Sequence, residues 1–142
     1  MPAYMKLGDI KGESQDARYP GWLVISSWSS SQSRGQISSV PGGYADYLAV
    51  TKGTDSASPF IFMAANAGTH FKEVVLVQES ATPGKSFGIR LRDGFISSYS
   101  VSSGGAQPME SLSLNFKSME YLQEADLQKI RTAVAAKPGR KR

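Results

Sequence analysis

Residues 87–102 read FGIRLRDGFISSYSVS. Phe87, Ile89 and Leu91 alternate with Gly88, Arg90 and Arg92, the period of two expected of a strand with one face buried. Asp93-Gly94 follows, a dipeptide suited to the positive φ angles of a two-residue turn, so the stretch predicts a hairpin whose second arm is Phe95 to Ser102. That arm has one markedly polar face. Ile96 is followed by Ser98, Ser100 and Ser102, whereas Phe95, Tyr99 and Val101 lie opposite with Ser97. A hairpin here makes the protein an antiparallel β protein.

The segments on either side point the same way. Upstream, Phe71 to Gln78 (FKEVVLVQ) carries Val74 to Val77 without a break, as a strand covered on both faces does. Before it lies the clearest helix start, with Ser58 as N-cap and Pro59 as first helical residue. Ile61, Ala64 and Ala65 form its inward stripe, and Gly68 supplies the left-handed residue that ends it. Ala3 to Leu7, Trp22 to Ser31 and Tyr44 to Lys52 read as further strands, with Ser29 to Gly43 passing into a Ser- and Gly-rich loop. Downstream, Gly104-Gly105 and Pro108 mark a loop, and Glu110 to Leu122 reads as one long half-buried strand. The period then changes. Leu127, Ile130 and Val134 sit at helical spacing, Glu124 and Asp126 occupy the first turn, and Lys137-Pro138-Gly139 stops the helix.

The expected architecture is mainly β, an antiparallel β-barrel or sandwich with one short internal α-helix and a C-terminal helix. Residues 1–122 form the barrel domain and residues 123–142 a helical extension with a basic tail. No repeat and no long linker divides the chain. Its 142 residues, 40% hydrophobic and 20% charged, suit one folded core.

Composition also removes several functions. There is no cysteine, which excludes disulfide scaffolds, thiolate metal sites and cysteine nucleophiles. The opening MPAYMKLGDIK has neither the apolar run of a signal peptide nor a membrane span, so no membrane insertion is expected and export would need another route. Lys and Arg number 16 against 12 Asp and Glu, but Lys137, Arg140, Lys141 and Arg142 account for the whole surplus. The body is balanced, which gives no bias toward nucleic acid.

Candidate chemistry is sparse. His70 is the sole histidine, and a catalytic role would need a nucleophile and a carboxylate converging on it. Asp9 and Glu13 share a loop, but without the ligand spacing of a calcium site they read as solvated acids. No glycine-rich phosphate motif occurs. Trp22, Trp28, Tyr44 and Tyr47 could stack nucleic-acid bases if exposed beside a basic groove, whereas half-apolar strands bury such rings by default. No catalytic residue, metal or cofactor is expected.

Several segments in order resemble the haemolysin-coregulated protein (Hcp) family, the tube-forming proteins of bacterial type VI secretion. YMKLGDIKGES, from Tyr4 to Ser14, is similar to its first strand and Gly-x-Lys-Gly-Glu-Ser loop, and ISSW at Ile25 to Trp28 to its second strand. DSASPFIFMAANAGTHFKEVVL, Asp55 to Leu76, resembles its strand–helix–strand centre, and SLSLNFKSMEY, Ser111 to Tyr121, its last barrel strand. The segment from Arg34 to Tyr47 carries no motif of the family, and Gln123 to Arg142 runs beyond the resemblance.

The resemblance implies a β-barrel assembled as a hexameric ring, rings stacked into an inner tube that a contractile sheath expels, a spike protein at the tip, and a baseplate. Small effector proteins would ride in the channel, and the protein would be cytoplasmic before firing and then secreted without a cleaved signal. Ser98, Ser100 and Ser102 are the candidate lumen-facing residues, and Leu127, Ile130 and Val134 the candidate assembly helix, packed on its own barrel or on a neighbour. Catalysis would require a fused C-terminal effector, for which about twenty residues are too few. The alternative is a monomeric β module that binds a peptide or nucleic acid.

Overall fold

The computed structural model describes residues 2–31, 46–103 and 105–135. Eight strands and two helices run in the order β1 (Ala3–Leu7), β2 (Leu23–Ile25), β3 (Ser27–Ser31), β4 (Tyr47–Gly53), α1 (Ser58–Ala67), β5 (His70–Gln78), β6 (Phe87–Ser102), β7 (Met109–Asn115), β8 (Ser118–Leu122) and α2 (Glu124–Ala135). The sheet order is β2-β1-β5-β6-β7-β4-β3, with β8 also on β6, and every pairing is antiparallel. Its two ends, β2 and β3, adjoin in sequence at Ser26, so the sheet curls until both ends meet in one segment. This is the expected barrel with one internal and one C-terminal helix.

The hairpin at Asp93-Gly94 does not form. Phe87 to Ser102 is one strand of 16 residues. Its first half pairs with β5 and β8, its second half with β7, and pairing with β5 continues past the dipeptide through Phe71↔Gly94 and His70↔Phe95. Paired this way, Ile89 and Leu91 of the first half and Ile96 of the second all reach the barrel core. Asp93 keeps the left-handed backbone of the expected turn, at φ 55°. It marks where the strand exchanges neighbours, not where it reverses.

A second irregularity falls between Ile96 and Ser98, where the register on β7 shifts. The extra residue, Ser97, resets the alternation. Ile96 opposite Leu114 and Tyr99 opposite Leu112 therefore share the core side. Ile96 does not lie with Ser98, Ser100 and Ser102, as simple alternation predicts.

Three other boundaries move. Trp22 to Ser31 is broken at Ser26, whose N–H bonds Thr51 carbonyl at 2.8 Å, because β2 belongs to β1 and β3 to β4. Glu110 to Leu122 is two strands, interrupted where Lys117 N–H bonds Arg92 carbonyl. Helix α1 starts at Ser58 with Ala57 before it, and Ser58 Oγ accepts the Asp55 N–H instead of capping a later turn. Gly68 ends the helix at φ 68°, ψ 33°, as expected. Tyr44, most of the loop to Gly43, and Lys137-Pro138-Gly139 lie outside the described residues.

Two apolar clusters hold the fold. The barrel interior joins Met5, Leu7, Leu48, Leu76, Ile89, Leu91, Leu112 and Leu114, and α1 adds Ile61 and Ala64 at its end. A second cluster lies outside the barrel, where Tyr4, Tyr19, Trp22, Val75, Val77 and Leu122 meet Leu127 and Ile130 of α2. Val74 to Val77 are thus buried on both faces, two residues in each cluster. Gly88 is where α2 comes closest: a Cβ there would stand 2.9 Å from Leu127 and 3.2 Å from both the Leu122 Cβ and the Leu76 carbonyl oxygen.

Candidate functional site

The most distinctive surface is a sheet face four strands wide. Strand pairing aligns Ser98, Ser113, Ala49 and Ser29 in one row and Ser100, Ser111, Thr51 and Ser27 in the next. Ser102, Met109 and Gly53 begin a third. None of these residues carries a charge. Ser27, Ser29, Ser98, Ser100, Ser102 and Ser111 are exposed, while the alternate residues Val50, Leu112 and Leu114 point into the core. The period-two serines of each strand are visible in sequence, but only the topology joins them.

Directly beneath this face is a buried ionic network. Lys52 opposes Glu110 across β4 and β7, with Nζ 2.9 Å from Oε2. Lys52 also lies 3.0 Å from Asp55 Oδ1 and donates to the Gly53 carbonyl. Ser58 Oγ–H donates to Glu110 Oε2, and Tyr99 O–H to Oε1 at 2.9 Å. Burial, then the hydrogen bond to Glu110, pushes the Tyr99 hydroxyl up to about 12. Every charge here is paired, as burial requires. The sequence shows Lys52 and Glu110 at inward positions of their strands, but nothing in it pairs them.

A second network pins α2. Tyr19 O–H donates to Glu79 Oε2 at 2.7 Å, Arg18 reaches Glu79 Oε1 at 2.8 Å, and Arg131 Nε donates to Tyr19 Oη at 2.8 Å. Arg131 also pairs with Glu124 at 2.7 Å. Burial raises the Glu79 carboxyl, but the Tyr19 hydroxyl and the two guanidiniums outweigh it and hold the group below its ordinary value. Burial and the Glu79 bond push the Tyr19 hydroxyl up to about 12. Of the three apolar α2 residues, Leu127 is fully buried on this protomer, Ile130 packs beside it, and Val134 is half-buried.

The remaining candidates do not form a reaction centre. His70 Nδ1 is 2.8 Å from Asp93 Oδ1, with both side chains more than half exposed and the imidazole stacked on Phe95. Among the described residues no hydroxyl is hydrogen-bonded to this imidazole–carboxylate pair. Asp9 is exposed, and Glu13 accepts the Ser56 N–H at 2.8 Å. Trp22 is buried and Trp28 donates Nε1–H to Gln78, so neither offers an open ring platform. Among the described residues no group of three His, Asp or Glu could hold a metal, and no helix is long and apolar enough to cross a membrane.

Sequence periodicity misses one feature of α1. While Ile61 and Ala64 turn inward, Phe60, Phe62 and Met63 remain 58%, 55% and 61% exposed. The helix is apolar on nearly every side, and only the strands around it show which side has no cover.

Residues 4–122 match the family described as Type VI secretion system effector, Hcp. Solved structures with the same fold include Hcp1 from Salmonella typhimurium, 20% identical over 86% of this chain and 85% of that one, with a TM-score of 0.75. Hcp2 from Salmonella typhimurium is 23% identical over 87% and 85%, at a TM-score of 0.70. A type VI secretion system effector from Yersinia pestis is 18% identical over 85% and 98%, also at 0.70. A search of curated protein sequences returns no match. The family match spans most of the chain and nearly the whole barrel: the chain belongs to the Hcp family and is a self-associating, secreted component of the type VI secretion tube.

Proposed function

We propose that six copies of this chain close into a ring with the serine face of β3, β4, β6 and β7 turned to a central channel, Ser98, Ser100 and Ser102 included. The observation that carries this reading is that face itself: broad, exposed, rich in hydroxyls and free of charge. A channel lined this way stays wetted yet offers a passing protein no fixed charge to bind, so cargo of varied surface charge can enter and leave. Stacked rings form the inner tube, a contractile sheath on a baseplate drives it behind a spike protein, and effector proteins travel in the channel. The chain acts as wall and carrier without chemistry of its own.

Residues 1–122 supply the ring body, and residues 123–142 an extension. Leu127 and Ile130 lock α2 to the outer wall of the same barrel, leaving Val134 and the basic tail for contacts between copies. A ring of identical chains requires two unlike surfaces that meet. Two candidates flank the serine face: the outer edge of β3 and the side of β6 from Ser97 to Ser102 that faces away from β7, neither of which has a strand partner among the described residues.

Light scattering after size exclusion, over a range of concentrations, tests the reading. The subunit is 15.3 kDa, so a six-membered ring has a mass of about 92 kDa, with multiples for stacked rings. A protein that stays at the subunit mass at every concentration refutes the ring.

A further inference from the structure

An open groove of about 920 Å³ lies between α1, the turn that follows β1 and the first half of β5, elements that take no part in the serine face. Helix α1 lines it with Phe60, Met63 and Ala67, spaced to share one side of the helix and all exposed. Ile10, Phe71 and Val75 complete the apolar lining. Phe71 lies against Gly8, where a Cβ would stand 2.5 Å from its ring. The two walls are tied to each other, because Glu13, just past the turn, accepts the Ser56 N–H just before the helix at 2.8 Å. The groove is therefore preformed, as small-molecule sites usually are.

Its charges select the ligand. Lys6, Lys11 and Lys72 line the groove together with Asp9 and Glu73. Glu73 is already held by Arg90 at 2.9 Å, and the Lys6 ammonium donates to the Gly8 carbonyl. Lys11 and Lys72 are exposed and have no ion-pair partner among the described residues. Three ammonium groups thus stand against one uncommitted carboxylate, that of Asp9, around an apolar lining. A ligand that satisfies both features has an apolar chain and an anionic end, and the volume is that of small-molecule sites, about 300–1,000 Å³. Among the described residues no guanidinium lines the groove to fork a phosphate, whereas an ammonium meets a carboxylate as a point charge. We propose that this groove binds a free fatty acid, with its chain along Phe60, Met63 and Ala67 and its carboxylate among the lysines. The site is separate from the serine face and does not rest on the ring reading.

Isothermal titration of the full chain with decanoate, kept below its micelle concentration, tests the site and should show saturable binding. Decyltrimethylammonium has the same chain and the opposite charge, and should bind about tenfold more weakly or worse. Lys11→Gln/Lys72→Gln should weaken decanoate binding about tenfold or more. Lys85→Gln/Lys129→Gln removes the same charge from exposed positions outside the groove and should stay within about twofold. A readout on the wild-type protein holds even if a variant fails to fold. Saturating decanoate should slow peroxide oxidation of the Met63 thioether, and butanoate, a carboxylate without the long chain, should not. No binding of decanoate, equal affinity for the two decyl probes, equal losses in the two lysine pairs, or Met63 left unprotected overturns the site, and each of these outcomes leaves the tube reading intact.

Discussion

Lys52 and Glu110 face each other across β4 and β7 with both side chains wholly buried, Nζ 2.9 Å from Oε2, immediately behind the serine face. Removing Lys52 leaves a buried carboxylate without its counter-ion, and removing Glu110 leaves the buried ammonium with Asp55 alone. Lys52→Met leaves the Glu110 carboxylate with only the Ser58 and Tyr99 hydroxyls, and Glu110→Met leaves those two donors unsatisfied while Lys52 retains Asp55. Each single variant should lose about 3–5 kcal/mol in urea unfolding, and Lys52→Met/Glu110→Met should lose clearly less than the sum. Additive losses would show that the two groups do not act as a pair.

The Glu79 and Glu110 networks together make stability depend on pH at both extremes. The Arg18 hydrogen bond first, against burial, holds Asp16 at about 2 where 3.8 is ordinary, and Glu79 also sits below its ordinary 4.5. A carboxyl whose folded pKa is depressed stabilises the fold above the unfolded value, and that contribution disappears as pH falls through the folded value. Stability should therefore drop between about pH 4.5 and 2, and Glu79→Gln should be less stable at neutral pH with a shallower acid slope. Tyr19 and Tyr99 run the other way. Both hydroxyls are raised from 10.0 to about 12, so their contribution is intact below pH 10 and lost as pH climbs toward 12. Denaturant midpoints across the pH range would contradict this if the acid limb were the same with and without Glu79.

Helix α2 should behave as part of the protomer's own core. Leu127 is fully buried against Gly88 and Leu122, so Leu127→Ala should cost about 2–5 kcal/mol, while exposed Lys129→Ala should stay within about 0.5 kcal/mol. Deleting residues 123–142 uncovers Tyr19 and Trp22 and leaves Glu79 without Arg131, so the barrel should lose stability even as a monomer. Equal unfolding midpoints for the deleted and full chains would show that α2 does not brace its own barrel.

Most strands could be read from the period-two pattern because their burial is one-sided, and the buried Val74 to Val77 run and the Gly68 stop follow from single-residue chemistry. What the sequence hid was pairing. Asp93-Gly94 has the local chemistry of a turn, yet Phe87–Arg92 and Phe95–Ser102 each pair with other strands and not with each other. The Ser97 bulge adds one residue to a single strand, which no periodicity registers, and it moves Ile96 to the core. The serine face was half legible for the same reason. Ser98, Ser100 and Ser102 alternate in plain view, but Ser111, Ser113, Thr51, Ser27 and Ser29 join them only through register. The exposed Phe60, Phe62 and Met63 were invisible, because a helix apolar on nearly every side does not declare which side the barrel covers.

The serine face supplies its own test through charge. Ser100 is exposed and lies beside Ser111, so Ser100→Lys should change protomer stability by no more than about 0.5 kcal/mol. In a closed ring the same change places six like charges around one channel. Their repulsion should raise the concentration needed for assembly at about 0.01 M salt, where the screening length is about 30 Å, and the effect should vanish near 1 M, where it is about 3 Å. Gln15→Lys, in an exposed loop away from this face, adds the same charge per copy and should show no such salt dependence. If Ser100→Lys and Gln15→Lys assemble alike at low salt, the serine rows do not converge on a common channel. If only Ser100→Lys responds to salt, the rows face one another across it.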